Sequence, residues 1–139
     1  MTKEELTFRF EHVLLVDDND IDNLINERMI TTSGFSKTVT VKTSGHSAID
    51  YLHKLESAIP APPVYPSVIF LDLNMPDMDG FTFLEEYEKL PESLKNYSKV
   101  VVLSSSITPD DINRASANRH VLKFVNKPLA KKYLDAINF

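Results

Sequence analysis

Five short apolar runs divide the chain into segments. Four of the runs are nearly continuous and rich in β-branched residues, whereas the second alternates between apolar and polar positions. In chain order the runs are Val13–Val16, Thr38–Val41, Val68–Leu71, Val100–Leu103 and Val121–Val125. Continuous apolar runs of this length are typical of strands buried on both faces, as in a parallel sheet covered by helices.

A segment with helical features follows each run. In four of these segments, apolar residues three and four positions apart form one apolar face. The faces consist of Ile21, Leu24, Ile25 and Met29; Ala48, Ile49, Leu52 and Leu55; Phe83, Leu84, Tyr87 and Leu90; and Leu129, Tyr133, Ala136 and Ile137. A fifth, weakly anchored helix should begin at Thr108-Pro109, because threonine caps helices and proline is tolerated in the first turn. This alternation predicts an α/β fold with a five-stranded parallel sheet, right-handed crossovers and five helices.

Composition and charge argue against several classes of protein. The 139 residues fit one domain, and an apolar fraction of 42% is enough for a core. The net charge of −5 and the scattered basic residues disfavour a nucleic-acid surface, which needs a basic stripe. The sequence has no cysteine, no signal-peptide pattern and no apolar stretch of membrane-spanning length. We therefore expect a cytoplasmic protein.

Polar side chains follow four of the predicted strands at the point where each strand ends. Asp17 and Asp18 follow the first strand, Asp72 the third, Ser104 the fourth and Lys127 the fifth. In open α/β sheets, ligands bind at the carboxyl ends of the strands, near the point where the strand order reverses. We therefore expect three carboxylates, a hydroxyl and an ammonium group to converge there.

The chemistry of such a cluster points to a metal ion and a phosphoryl group. Converging carboxylates repel one another unless a countercharge is present, and Mg²⁺ binds carboxylate and carbonyl oxygens together with water. A carboxylate can attack a phosphoryl group to form an aspartyl phosphate, and Asp72 is the predicted acceptor. Lys127 can pair with phosphoryl oxygens, and Ser104 can donate a hydrogen bond to one of them. Each residue alone could be an ordinary turn, cap or surface residue, so the joint arrangement carries the prediction.

Four segments resemble the receiver domain of two-component response regulators, including the single-domain chemotaxis receiver. They are Val13–Asp18, Phe70–Gly80, Val101–Ser104 and Phe124–Pro128. The resemblance implies a flavodoxin-like, doubly wound sheet with strand order 2-1-3-4-5. It also implies a receiver domain over residues 12–139, preceded by an N-terminal extension over residues 1–11.

The resemblance assigns roles to individual residues. Asp72 would accept the phosphoryl group and contact Mg²⁺. Asp18 would bind the metal directly, Asp17 mostly through water, and Asn74 through its backbone carbonyl. Asn74 and Ser106 occupy the two positions that tune the hydrolysing water in this family.

The resemblance also assigns Lys127 to contact with the phosphoryl group and Ser104 and Phe124 to the switch. Lys127 matches the lysine that contacts the phosphoryl group, and a cis Lys127-Pro128 bond would be consistent with the family. Ser104 stands at the switch position where threonine is commoner. Phe124 matches the switch aromatic residue but lacks the tyrosine hydroxyl.

The implied function is phosphorylation-dependent signalling. A histidine kinase or histidine phosphotransfer protein would donate a phosphoryl group to Asp72, and the face formed by the fourth helix, fifth strand and fifth helix would then change shape to control a protein partner. The chain would not be an enzyme beyond catalysing its own phosphorylation and dephosphorylation. It would act as a monomer or as a phosphorylation-dependent dimer, without nucleic acid or membrane. The kinase, the downstream partner and the phosphoryl lifetime are not assigned by the sequence.

Three other functions fit parts of the pattern. A degenerate receiver that acts as a phosphorylation-independent scaffold would share the fold, but the complete set of motif residues argues against it. A metal-dependent phosphatase with an aspartyl nucleophile carries a general acid two residues after the nucleophile, where this chain has Asn74. A nucleotide-binding switch would need a Gly-x-x-x-x-Gly-Lys-Ser/Thr loop, which the sequence lacks.

Overall fold

The computed structural model describes residues 7–56, 65–76, 78–105 and 108–137. Within these residues it has strands β1 (Phe10–Val16), β2 (Ser36–Lys42), β3 (Val68–Asp72), β4 (Lys99–Ser104) and β5 (Val121–Asn126). The helices are α1 (Asp20–Thr32), α2 (Gly45–Glu56), α3 (Gly80–Glu88), α4 (Glu92–Tyr97), α5 (Pro109–Ser116) and α6 (Lys131–Asp135). Ser106 and the first six residues of the predicted extension lie outside the described residues.

The sheet is five-stranded and all parallel, in the order β2-β1-β3-β4-β5. All five predicted strands are confirmed, and each extends beyond its apolar run. The chain passes from β1 to β2 on one side and then returns to place β3 on the other side of β1. The strand order therefore reverses between β1 and β3, and the carboxyl ends of these two strands border the resulting crevice.

Two apolar layers cover the two faces of the sheet. Alternate side chains of each strand enter opposite layers, as the period of an extended chain requires. One layer joins the sheet to α2, α3, α4 and α5, and its members include Leu14, Ile69, Val102, Leu52, Phe83, Leu94 and Ala115. The other joins the sheet to α1 and α6, and its members include Leu15, Phe70, Leu103, Ile30, Leu134 and Ile137. This arrangement confirms the doubly wound, flavodoxin-like fold.

Most of the apolar face of α1 does not point into the core, although Met29 packs against it. Ile21, Leu24 and Ile25 are 70%, 61% and 47% exposed, and the helix instead buries Asn23, Asn26 and Ile30. An apolar helix face normally marks the side that packs inward. Here the two asparagines are drawn inward because their side chains bind backbone groups of neighbouring loops.

The structure has one helix more than the five predicted. The additional helix, α4, is six residues long and begins after Pro91. Leu94 is its buried apolar residue, so no helical periodicity was visible in the sequence. The Lys95 ammonium group donates to the Glu88 backbone carbonyl at 2.6 Å and pairs with its carboxylate at 3.1 Å, which ties α4 to the end of α3.

The start predicted for α5 is confirmed, and the helix is thinly anchored as expected. The backbone N–H of Asp111 donates to the Thr108 hydroxyl at 3.1 Å, and Pro109 is the first helical residue. Ala115 is the buried residue of this helix, whereas Ile112 is exposed. No helix in the described part of the chain is long and apolar enough to cross a membrane.

Candidate functional site

The loop after β1 holds one buried and one exposed carboxylate. Asp17 is fully buried, and Asp18 points to solvent. The Asn23 side chain donates to the Asp17 backbone carbonyl at 2.8 Å, and the Asn19 backbone N–H donates to the Asp17 carboxylate at 3.0 Å. Asn19 then caps α1 by accepting from the Asp22 backbone N–H at 2.9 Å. These bonds fix both acids relative to the first turn of α1.

The loop after β3 fixes the third carboxylate. Asp72 is the last residue of β3 and is buried, and its carboxylate accepts from the Asn74 backbone N–H at 3.2 Å. The chain then returns so tightly that the Gly80 N–H donates to the Leu73 carbonyl at 2.9 Å. A Cβ atom on Gly80 would lie 2.7 Å from the Leu73 Cα, so a larger residue would displace this loop.

Asp17, Asp18 and Asp72 form a group suited to a hard cation. One carboxylate oxygen from each residue lies within 4.8 Å of the others. An all-oxygen set of this kind, partly open to water, fits Mg²⁺, which prefers carboxylates and retains several waters. The structure thus brings together the three acids that the sequence places at separate strand ends.

Lys127 lies against this group and is nearly buried. Its Nζ atom is 2.6 Å from Asp17 Oδ2, 3.0 Å from Asp22 Oδ2 and 3.4 Å from Asp72 Oδ2. Burial by itself would lower the pKa of Lys127, but the hydrogen bonds to Asp17 and Asp22 and the charge of Asp72 raise it above its usual value. Lys127 is therefore charged whenever the site is intact.

The segment that carries Lys127 is held at two points. The Lys127 backbone N–H donates to the Ser104 carbonyl at 3.0 Å, and the Lys127-Pro128 peptide bond is cis. The Leu129 N–H donates to the buried Asn26 side chain at 3.0 Å. Helix α1 thereby contacts the β5–α6 connection directly.

Burial and a neighbouring charge disfavour ionisation of Asp72. Its pKa is raised from the usual 3.8 to about 6, because burial disfavours the charged form and the Asp17 carboxylate repels it. The Asn74 N–H and Lys127 oppose this rise without cancelling it. A cation among the three acids would remove most of the repulsion.

The two residues assigned to signal transmission occupy different places. Ser104 is buried at the end of β4, and its hydroxyl accepts from the Asn74 side-chain amide at 3.2 Å, so it belongs to the cluster. Phe124 lies on β5 opposite Val102, half-buried against the apolar layer that contains α5. Its side chain therefore packs against the same apolar layer to which α5 contributes Ala115.

A cleft of about 590 Å³ opens beside the acids. Asp18, Asn74 and Asp79 line it on the side of the strand ends, and Arg114 of α5 lines it on the other side. The Arg114 guanidinium lies over the Phe81 ring, 3.8 Å from its centroid. The cleft leaves the carboxyl edge of the sheet open to molecules from solvent.

Two functional contacts were not found from the sequence. Asp22 binds Lys127, and Asn26 binds the segment after it. Asp22 is an acid in the first turn of a helix, where acids are common because of the helix dipole. Its position four residues after Asp18 places it near the predicted acids, but only the position of Lys127 in the structure shows that it belongs to the site.

Comparisons with known proteins agree with this fold and site. Residues 13–137 match the family described as the response regulator receiver domain. The response regulator Rcp1 of Synechocystis is 32% identical over 115 residues, which cover 83% of this chain and 75% of that protein. The crystal structure of a two-component response regulator from Cytophaga hutchinsonii superimposes with a TM-score of 0.82 at 35% identity, covering 90% of this chain and 91% of that one.

The same domain also occurs inside much longer proteins. The sensory/regulatory protein RpfC of Xanthomonas campestris is 30% identical over 93% of this chain. The matched region makes up 16% of the length of that protein. The doubly wound sheet with acids at its switch point defines a signalling domain of the receiver class. This chain belongs to the response regulator receiver domain family.

Proposed function

We propose that this receiver accepts a phosphoryl group on Asp72 from a phosphohistidine of a partner protein, in a reaction that requires Mg²⁺. The observation that carries the proposal is the convergence of three carboxylates within 4.8 Å of one another, with Lys127 against them. Asp18 would hold the metal directly, Asp17 mostly through water, Asp72 through its carboxylate and Asn74 through its backbone carbonyl. When bound there, Mg²⁺ supplies the positive charge that neutralises both the acids and an incoming phosphoryl group.

The transfer step uses Asp72 as the nucleophile. One carboxylate oxygen attacks the phosphorus atom, a P–O bond forms, and the P–N bond to the donor imidazole breaks. The imidazole leaves with the electron pair and takes up a proton. Hydrolysis reverses the modification when water attacks the phosphorus, which releases inorganic phosphate and restores the carboxylate.

Lys127 and Ser104 respond to the new group. Lys127 can pair with a phosphoryl oxygen from its position 3.4 Å from Asp72, and the Ser104 hydroxyl can turn from Asn74 to donate to another. Movement of Ser104 would open space towards Phe124, which lies beside the thinly anchored α5. The face formed by α5, β5 and α6 would then shift its population and change its affinity for a protein partner.

The exposed face of α1 supports docking of the donor. Ile21, Leu24 and Ile25 form an apolar strip that begins three residues after Asp18. Apolar strips on a helix bind complementary helices, which suits the helical histidine-bearing domain of a kinase or phosphotransfer protein. A partner on this strip would lie next to the acids. Because such kinases use cytoplasmic ATP, the proposal places the protein in the cytoplasm.

Acetyl phosphate offers a direct test that does not require the kinase. Incubation with Mg²⁺ and acetyl phosphate should add one phosphoryl group, stable in acid and labile in base, as measured by intact-protein mass spectrometry. Asp72→Asn and removal of Mg²⁺ should abolish the adduct, whereas Asp20→Asn, which changes an exposed acid of α1, should retain it. An adduct that survives Asp72→Asn would exclude the assignment, and an unmodified wild-type protein would favour the phosphorylation-independent scaffold.

A further inference from the structure

Lys127 contacts one carboxylate that stands apart from the metal-binding group. Asp22 Oδ2 is 3.0 Å from Lys127 Nζ, but Asp22 is not among the three acids whose oxygens converge within 4.8 Å. Its side chain is 35% exposed and is carried by the first turn of α1. We propose that Asp22 is a positioning residue that restrains Lys127 in the unphosphorylated protein and thereby opposes phosphoryl binding at Asp72. This inference rests on the proposed function.

Three carboxylates contact the Lys127 ammonium group in the unphosphorylated protein, and the contact with Asp22 is a hydrogen bond. An ammonium group has three N–H donors, and Lys127 faces Asp17, Asp22 and Asp72 at 2.6, 3.0 and 3.4 Å. A phosphoryl oxygen that pairs with Lys127 therefore competes with these carboxylates for the ammonium group. The contact with Asp22 has to be given up or shared for Lys127 to turn towards a group on Asp72.

A cation in the acid group would loosen two of the three contacts but not the third. Charge on the metal would neutralise Asp17 and Asp72, which weakens their attraction for the ammonium group. Asp22 would keep its full negative charge because it lies outside the group. In the metal-bound protein, Asp22 is therefore the strongest remaining competitor for Lys127.

The position of Asp22 is fixed by the contact of α1 with the β5–α6 connection. Asn26, one helical turn after Asp22, accepts the Leu129 N–H at 3.0 Å in a buried setting. At the start of the same helix, the Asn19 side chain accepts a hydrogen bond from the Asp22 backbone N–H at 2.9 Å. The helix turn that carries Asp22 is therefore held beside Lys127 by two hydrogen bonds.

Asp22 opposes binding of the phosphoryl group in two ways. Its carboxylate competes for Lys127, and its negative charge repels a phosphoryl dianion. Because the side chain is partly exposed, water and salt screen both effects. Removing the charge should strengthen binding of a phosphoryl analogue by about three- to tenfold.

Beryllofluoride, which mimics a phosphoryl group on a carboxylate, is the probe. Its affinity is measured by calorimetric titration at saturating Mg²⁺ for wild type, Asp22→Asn, Asp22→Ser and the control Asp20→Asn. We expect about three- to tenfold tighter binding for both Asp22 variants, no change for the control, and wild-type affinity for Asp22→Glu. The Mg²⁺ affinity of the Asp22 variants, titrated without beryllofluoride, should equal that of wild type or be weaker. A variant with a distorted site would instead bind both Mg²⁺ and beryllofluoride more weakly than wild type.

The possible outcomes separate this inference from the proposed function. If wild type binds no beryllofluoride, the proposed function fails and the inference fails with it. If wild type binds it but both Asp22 variants bind equally or more weakly, only the restraint is overturned. An equal gain for Asp20→Asn would assign the effect to net charge and would likewise overturn the role of Asp22.

Discussion

Replacing Lys127 with alanine should lower the free energy of unfolding of the metal-free protein by about 3 kcal/mol. The Lys127 side chain is 8% exposed, and its removal leaves Asp17, 0% exposed, and Asp72, 6% exposed, without their countercharge. Removing one partner of a buried ion pair costs more than the pair contributes, because the remaining charge stays out of water. Urea denaturation at about pH 7.5 without divalent cations measures the loss.

Two comparisons make this prediction specific. Lys131→Ala removes an exposed lysine that pairs with Asp135 on the surface, and it should change the free energy of unfolding by less than about 1 kcal/mol. Saturating Mg²⁺ should recover much of the stability of Lys127→Ala, since a ligand that binds the folded state alone stabilises it. A Lys127→Ala protein as stable as wild type without Mg²⁺ would show that Lys127 does not neutralise the acids.

Replacing Asp72 with asparagine should have the opposite effect and raise the free energy of unfolding at about pH 7.5 by about 2 kcal/mol. The pKa of Asp72 is raised from its usual 3.8 to about 6, chiefly by burial, so the folded protein holds this proton more tightly than the unfolded chain. Ionisation therefore destabilises the folded state. The magnitude allows for screening by the water that reaches the adjoining cleft.

The pH dependence fixes the sign of this effect. The stabilisation by Asp72→Asn should be complete above a pH of about 6, decline as the pH falls towards 3.8, and vanish below 3.8, where the acid becomes protonated in both states. The control Asp50→Asn removes an exposed acid on α2 and should give no such gain. Urea denaturation across this range measures the difference, and a gain that is constant with pH would refute the assigned cause.

The sheet could be predicted from the sequence because burial on both faces leaves a simple pattern. Val68–Leu71 and Val100–Leu103 are apolar at every position, and such a run has few alternatives to a central strand. The order of the strands came from the family resemblance and not from the pattern. Helix α4 left no pattern because a six-residue helix with Leu94 as its buried apolar residue has no periodicity to detect.

The orientation of α1 could not be predicted for a different reason. Asparagine is mostly an exposed residue, and nothing in the sequence shows that Asn23 binds a backbone carbonyl of the preceding loop or that Asn26 binds a backbone N–H of a distant loop. With Asn23 and Asn26 turned inward, Ile21 and Leu24 are left in solvent. When a helix has both an apolar face and a face of asparagines that can bind backbone groups, its orientation depends on the positions of the neighbouring segments.

The members of the candidate site were predictable, but the pairing among them was not. Strand ends placed Asp17, Asp72 and Lys127 at one edge, and the structure brings them into contact. Asp22 was missed because its contact with Lys127 joins residues 105 positions apart. The apolar pattern of a sequence indicates which face of a helix or strand a residue occupies. A specific ion pair such as Asp22–Lys127 also depends on how two segments that are distant in the sequence meet in the fold.

Locating the phosphoryl group within the chain tests the central claim most directly. After incubation with Mg²⁺ and acetyl phosphate, borohydride reduces an aspartyl phosphate to homoserine, which marks the modified position for peptide mass spectrometry. The account predicts homoserine at position 72 alone, with Asp17 and Asp18 unchanged. Homoserine at either of those two positions, or an unmodified Asp72 in protein that has gained a phosphoryl group, would contradict it.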